Sequence, residues 1–157
     1  MPATASGMTG ALAPERRVEI DAPDLELTLP ARPENVAVAR HAIGGFADVL
    51  DVADQTLADV KLAVTEACTN VVVHAYPNGE GPITLRATVH AGVLRVVVAD
   101  EGRGMLPRAD SPGLGLGLPL IATLAESLEL GTGDNEETEV RMTFRLDAGA
   151  GDDAVPR

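Results

Sequence analysis

The chain predicts an α+β fold, a two-layer sandwich in which helices cover one face of a mixed, mostly antiparallel sheet. Three observations lead there. Two segments in the first half carry apolar residues at helical spacing. Two apolar runs in the middle are joined by a tight Ala91-Gly92 turn. The last segment, Thr138 to Leu146, alternates apolar and polar residues cleanly.

Taken in order, residues 1–16 and 147–157 are rich in Ala, Gly, Pro, Asp and Thr without periodicity, and are expected to be disordered tails. One domain is expected between them, over 17–146. Val18 and Ile20, then Leu25, Leu27 and Leu29, alternate on either side of an Ala22-Pro23-Asp24 turn and give one or two strands. Pro33 and Glu34 open a helix with Val36, Ala39, Ile43, Phe46 and Leu50 at its apolar positions, weakened locally by Gly44-Gly45. Asp51 to Thr56 reads as a connector holding several capping candidates. A second helix is expected over about 57–75, ending before the Pro77-Asn78-Gly79 turn. Strands at 83–90 and 93–99 follow, then a Gly-rich loop over 100–117. A third helix is expected from near Gly117 to about Leu128, with Pro119 in its first turn. Glu129-Leu130 starts a strand, and Val140, Met142, Phe144 and Leu146 face inward on the last one.

Composition bounds the function. The 157 residues give room for one domain with a sizeable core. With two Phe, one Tyr and no Trp, that core must be packed from Val, Leu, Ile and Ala. The formal net charge of −12 argues against a phosphate-backbone binder, which needs clustered Lys and Arg. It does not argue against a nucleotide, which a few backbone amides and one metal ion can hold. Cys68, the single cysteine, has no partner for an internal disulfide and cannot form a multi-cysteine metal site. No run approaches the roughly 18 apolar residues a bilayer demands, and the N-terminus lacks the order of a secretion signal. A cytoplasmic location is the expectation, with no direct nucleic-acid or membrane partner.

The candidate chemistry lies in three places. On the second helix, Leu57, Val60, Val64, Cys68, Val71 and Ala75 form the core stripe, while Glu66, Asn70 and His74 make a polar ladder at i, i+4 and i+8 on nearly the opposite side. Three polar residues on a helix ordinarily mark a solvated face. Here Leu62, Ala63, Ala67 and Val73 surround them, so the face is small and apolar. An amide oxygen suits a hard cation that keeps several waters, and a carboxylate one turn away can orient or deprotonate an attacking hydroxyl. The second place is Asp100-Glu101-Gly102-Arg103-Gly104-Met105, where an acceptor-only carboxylate leaves an apolar strand beside a flexible backbone. The third is Gly113-Leu114-Gly115-Leu116-Gly117-Leu118 before a helix, where bare backbone amides and a helix N-terminus can meet phosphates. It lacks the Lys-Ser/Thr of P-loop proteins and follows no strand as a dinucleotide fingerprint would.

In this order the three elements resemble the N, G1 and G2 boxes of the ATPase superfamily that unites gyrase-type topoisomerases, heat-shock chaperones, mismatch-repair proteins and sensor histidine kinases. The wording Glu66-Ala67-Cys68-Thr69-Asn70-Val71-Val72-Val73-His74-Ala75-Tyr76-Pro77 and the short gaps between boxes resemble its anti-sigma-factor serine-kinase branch. The resemblance covers roughly Leu25 to Phe144 and implies the Bergerat-type ATP-binding fold. It further implies that Glu66 is the general base and Asn70 the Mg²⁺ ligand. Asp100 would accept the adenine amino group, with Gly102, Gly104 and Met105 in the base pocket. Gly113, Leu114, Gly115, Leu116 and Gly117 would close over the phosphates as a short lid. Thr138 would reach the adenine, and His74 is a further candidate for touching nucleotide.

The implied cofactors are ATP and Mg²⁺. The implied partners are a sigma factor and an anti-sigma-antagonist domain, the latter being the phosphorylated substrate, with the chain itself a homodimer. Two departures stand out. Glu137-Thr138-Glu139 replaces the glycine the family usually has before this threonine, and the lid offers only Arg103 and Arg108 as cations. The alternative reading is a nucleotide-binding regulator that sequesters a partner without significant kinase activity.

Overall fold

The computed structural model describes residues 23–102 and 114–146, with the side chains of 114–116 outside that description. The expected tails and the Val18/Ile20 alternation also lie outside it. Among the described residues the strands are β1 (Leu25–Pro30), β2 (Pro82–His90), β3 (Val93–Asp100), β4 (Ser127–Thr132) and β5 (Thr138–Arg145). They form one sheet in the order β1-β2-β3-β5-β4, and every neighbouring pair is antiparallel. Helices α1 (Pro33–Val49), α2 (Asp54–Asn70) and α3 (Leu114–Leu124) complete the α+β sandwich.

The strands follow the alternation in the sequence. Ile83, Leu85 and Ala87 of β2, Leu94, Val96 and Val98 of β3, and Val140, Met142 and Phe144 of β5 are buried on one face. Ala39 and Ile43 of α1, Val60, Val64 and Cys68 of α2, and Leu118 and Ile121 of α3 close the same core. The β2–β3 hairpin turns through Ala91 at φ 53° and Gly92 at φ 79°. Positive φ at both central residues matches the turn to the strand twist.

The helices depart from expectation at their ends. Helix α2 begins at Asp54, not near residue 57, and its N-cap is Ala53 with no side-chain cap. The capping candidates of the connector are therefore not used as caps, and packing decides the start. At its far end the α-helix gives way to one π-helical turn, Val71–Ala75. Helix α3 starts at Leu114 and stops at Leu124, so Pro119 lies in its interior and Ser127 already opens β4. Glycine's poor helix propensity placed the predicted start too late, since docking against α2 outweighs it. Helix α1 runs unbroken through Gly44-Gly45, and the stem of Lys61 lies over Gly44.

The other face of the sheet carries charge. Arg86 reaches Glu137 at 2.8 Å, Glu26 at 3.4 Å and Glu139 at 3.5 Å, while Arg141 reaches Glu139 at 2.8 Å. These pairs are partly solvated, so each contributes little alone; they hold Glu137 and Glu139, on either side of Thr138, to this face.

Candidate functional site

The ladder of α2 is built unevenly. Asn70 is only 6% exposed, whereas Glu66, one turn earlier, and His74, in the π turn, are half-buried. Asn70 is covered because α3 lies against it. A Cβ placed on Gly117 would come within 2.7 Å of Asn70 Nδ2, so only glycine permits the approach. The four small apolar neighbours expected around the ladder divide into two sets. Ala63 and Ala67 are fully buried in the core, while Leu62 and Val73 are 41% and 61% exposed. Helices α1 and α3 flank α2 on both sides, which widens its buried arc beyond one stripe. The π turn also widens the coil after Asn70 and carries His74 out of strict i+4 register.

Asp100 is the last residue of β3, paired across the sheet with Ile83 on one side and Thr138 on the other. Directly opposed residues share a face, so Thr138 lies beside Asp100 on the helix side. Asp100 is 1% exposed, and its Oδ1 accepts the Gly102 amide at 2.9 Å. Burial pushes its carboxyl above the ordinary carboxylate value, the Gly102 amide pulls it back, and Glu137 pushes it up again. The departure at Glu137-Thr138-Glu139 has a structural account. The two acids pair with Arg86 and Arg141, while Thr138 itself lies opposite Asp100.

Two buried side-chain atoms among the described residues have no hydrogen-bond partner: Asn70 Nδ2 and Asp100 Oδ2. Amide N and O are told apart only by their network, so a flip of Asn70 presents a carbonyl oxygen at the same place. Leaving a buried polar group unpaired costs about 1–3 kcal/mol. That both such atoms belong to residues singled out by chemistry points to a ligand.

Contacts past the end of α2 bring the segment that follows Asn70 against the turn that follows Asp100. Gly102 lies against the Ala75 carbonyl, where no side chain fits. The Tyr76 hydroxyl donates to the Pro82 carbonyl at 2.7 Å and accepts the Glu101 amide at 2.7 Å. Burial pushes the Tyr76 phenol up, the Glu101 hydrogen bond opposes this, and the Asp100 and Glu101 charges add to it. Sequence reasoning gave Tyr76 no role. Its signal was being the chain's one tyrosine, set immediately before the Pro77-Asn78-Gly79 turn. Leu114, Gly115 and Leu116 form the first turn of α3. Gly104, Met105, Gly113, Arg103 and Arg108 lie outside the described residues.

An antiparallel α+β sandwich that keeps an amide and a carboxylate unsatisfied, with a helix end packed against a strand exit, has the form of a domain with a candidate ligand site there. Residues 29–144 match the histidine kinase-like ATPase domain, and the chain belongs to that family. It is 35% identical over 130 residues to an anti-sigma F factor of Caldanaerobacter subterraneus subsp. tengcongensis, covering 76% of this chain and 91% of that protein. It is 36% identical over 121 residues to the serine-protein kinase RsbW of Halalkalibacterium halodurans, covering 68% and 74%. The fold is similar to the crystal structure of the RsbU and RsbW domains of Rv1364c from Mycobacterium tuberculosis, with TM-score 0.62 and 23% identity, over 80% of this chain and 32% of that one. Among the described residues no helix is long and apolar enough to cross a membrane.

Proposed function

We propose that the chain is a Mg-ATP-dependent serine/threonine-protein kinase that acts as an anti-sigma factor in a partner-switching system. Its substrate is an anti-sigma-antagonist domain, its second partner a sigma factor, and it works in the cytoplasm as a homodimer. The observation that carries the reading is the pair of orphaned buried groups, Asn70 Nδ2 and Asp100 Oδ2. The names borne by its relatives, an anti-sigma F factor and a serine-protein kinase, support a sigma factor as partner and a serine as phosphate acceptor.

The residues fit the cofactor. Asp100 Oδ2, an unpaired acceptor, would take the amino group of adenine, with Thr138 beside it. Asn70 would give its side-chain oxygen to Mg²⁺, which would take its other ligands from phosphate and water. Bound there, the ion would neutralise charge on the phosphates and orient them. Glu66 stands one turn before Asn70, about 6 Å along the axis, half-buried and directed along the same side of α2. It would accept the proton of the substrate hydroxyl, and its partial exposure leaves room for a serine to arrive. Gly117 keeps α3 close enough to Asn70 to exclude water from that side.

The test is calorimetry of Mg-ATP binding to the wild type and to Asn70→Ala. Mg²⁺-dependent binding that the substitution abolishes is the expected result; unchanged binding refutes the assignment. The sequestering alternative rests on the small number of cations in the lid sequence. It predicts the same binding with no phosphate transfer.

A further inference from the structure

We propose that Tyr76 is a positioning residue for adenine recognition, its hydroxyl spreading β2 from the exit of β3 and so fixing the Asp100 carboxylate. The inference rests on the nucleotide-site reading above.

The β2–β3 ladder ends at the pair Ile83–Asp100. One rung further, the Pro82 carbonyl and the Glu101 amide would face each other. The Tyr76 hydroxyl stands between them, donating to Pro82 at 2.7 Å and accepting from Glu101 at 2.7 Å. A side chain 25 residues upstream thus satisfies the first backbone amide beyond the strand. The chain leaves the sheet at that point, and the Gly102 amide turns back onto Asp100 Oδ1 at 2.9 Å. One carboxylate oxygen is committed and the other, Oδ2, is left for a ligand.

The ring is held as firmly as the hydroxyl. A Cβ on Gly81 would strike its edge, and one on Gly102 would lie 2.9 Å from Cε1. The glycines at 81 and 102 leave the space this ring fills. Tyr76 follows directly on the π turn that begins after Asn70, so the same short segment carries the amide and the pin. A phenylalanine would fill the space but strand both the Pro82 carbonyl and the Glu101 amide. The strands would then close into a direct rung or leave both groups unpaired. Either outcome moves the turn that aims Asp100.

The experiment compares wild type and Tyr76→Phe for Mg-ATP and Mg-GTP binding by calorimetry. The expected result is a roughly tenfold loss of ATP affinity, the size of one lost hydrogen bond, with GTP affinity unchanged and Mg²⁺ dependence retained. Equal losses for both nucleotides would show general loosening and overturn the positioning role. No loss would overturn it too, while leaving the nucleotide site standing. A wild type that binds neither nucleotide removes the site itself and this role with it. Should Tyr76→Phe melt far below the wild type, hydrogen exchange at the Glu101 amide of the nucleotide-free wild type decides. Protection is expected, and fast exchange overturns the pin.

Discussion

Replacing Gly117 by alanine separates the stability of this domain from its function. The added Cβ would lie 2.7 Å from Asn70 Nδ2, 3.2 Å from Oδ1 and 3.3 Å from Cγ, where ordinary contact begins at 3.4 Å. The amide must therefore retreat by about 0.7 Å, the difference between 3.4 and 2.7. Its neighbours Ala67, Cys68 and Val71 are fully buried and leave it little room. Overpacking of this kind costs about 1–3 kcal/mol, and removing a glycine from a helix interior returns about 1 kcal/mol. The net destabilisation is then about 0–2 kcal/mol, which leaves the domain folded. A displacement near 1 Å of a positioned group, in contrast, costs roughly a hundredfold in the step it serves. Gly117→Ala should keep a cooperative melt near that of the wild type while losing most Mg-ATP binding and transfer. Calorimetry alongside thermal melting reads both. A Gly117→Ala protein with full Mg-ATP affinity would refute the claim that this contact sets the amide.

The remaining predictions follow from single groups. Glu66→Ala should bind Mg-ATP normally yet lose transfer of labelled γ-phosphate to the antagonist protein by roughly 10²–10⁴-fold; normal transfer would remove the base assignment. Asp100→Asn should reduce discrimination between adenine and guanine nucleotides and also raise the melting temperature of the empty protein at neutral pH. The sign follows from burial holding the Asp100 proton more tightly in the folded chain. Its stabilising contribution is full below the unfolded carboxylate value and is lost as pH rises through the higher folded value. The gap between variant and wild type should therefore vanish toward acid pH, and a gap that widens there would contradict it. Burial pushes the Cys68 thiol up to about 12, so iodoacetamide at pH 8 should label it only after unfolding. Rapid labelling of the native protein would show that α2 does not bury it.

Much of the fold was legible because alternation and helical spacing are written locally. The run Val96-Val97-Val98-Ala99 ending at Asp100 announced both a strand and its exit, and β5 read correctly from Thr138 onward. What could not be read depends on neighbours distant in sequence. The need for glycine at 102 comes from the Ala75 carbonyl, and the need at 117 comes from Asn70. The π turn left no mark, since Val71-Val72-Val73 suits any helical winding. Glu66 and Asn70 were found as a pair by spacing, but their difference was not. One is half-buried and the other enclosed, with Gly117 of α3 set against the Asn70 amide. Tyr76 was passed over because its two partners lie in β2 and beyond β3.

The two unpaired atoms at Asn70 and Asp100 also bear on the lifetime of the protein. A ligand that pairs them binds the folded chain and not the unfolded one, so it stabilises the fold by about 2.7 kcal/mol at a hundredfold excess over its dissociation constant. The empty domain opens more often, and a protease that cuts the opened chain reports how often the site stands empty. Resistance to digestion would then serve as a gauge of occupancy that needs neither of the proposed protein partners. Adding nucleotide to a digestion should slow it in proportion to filling.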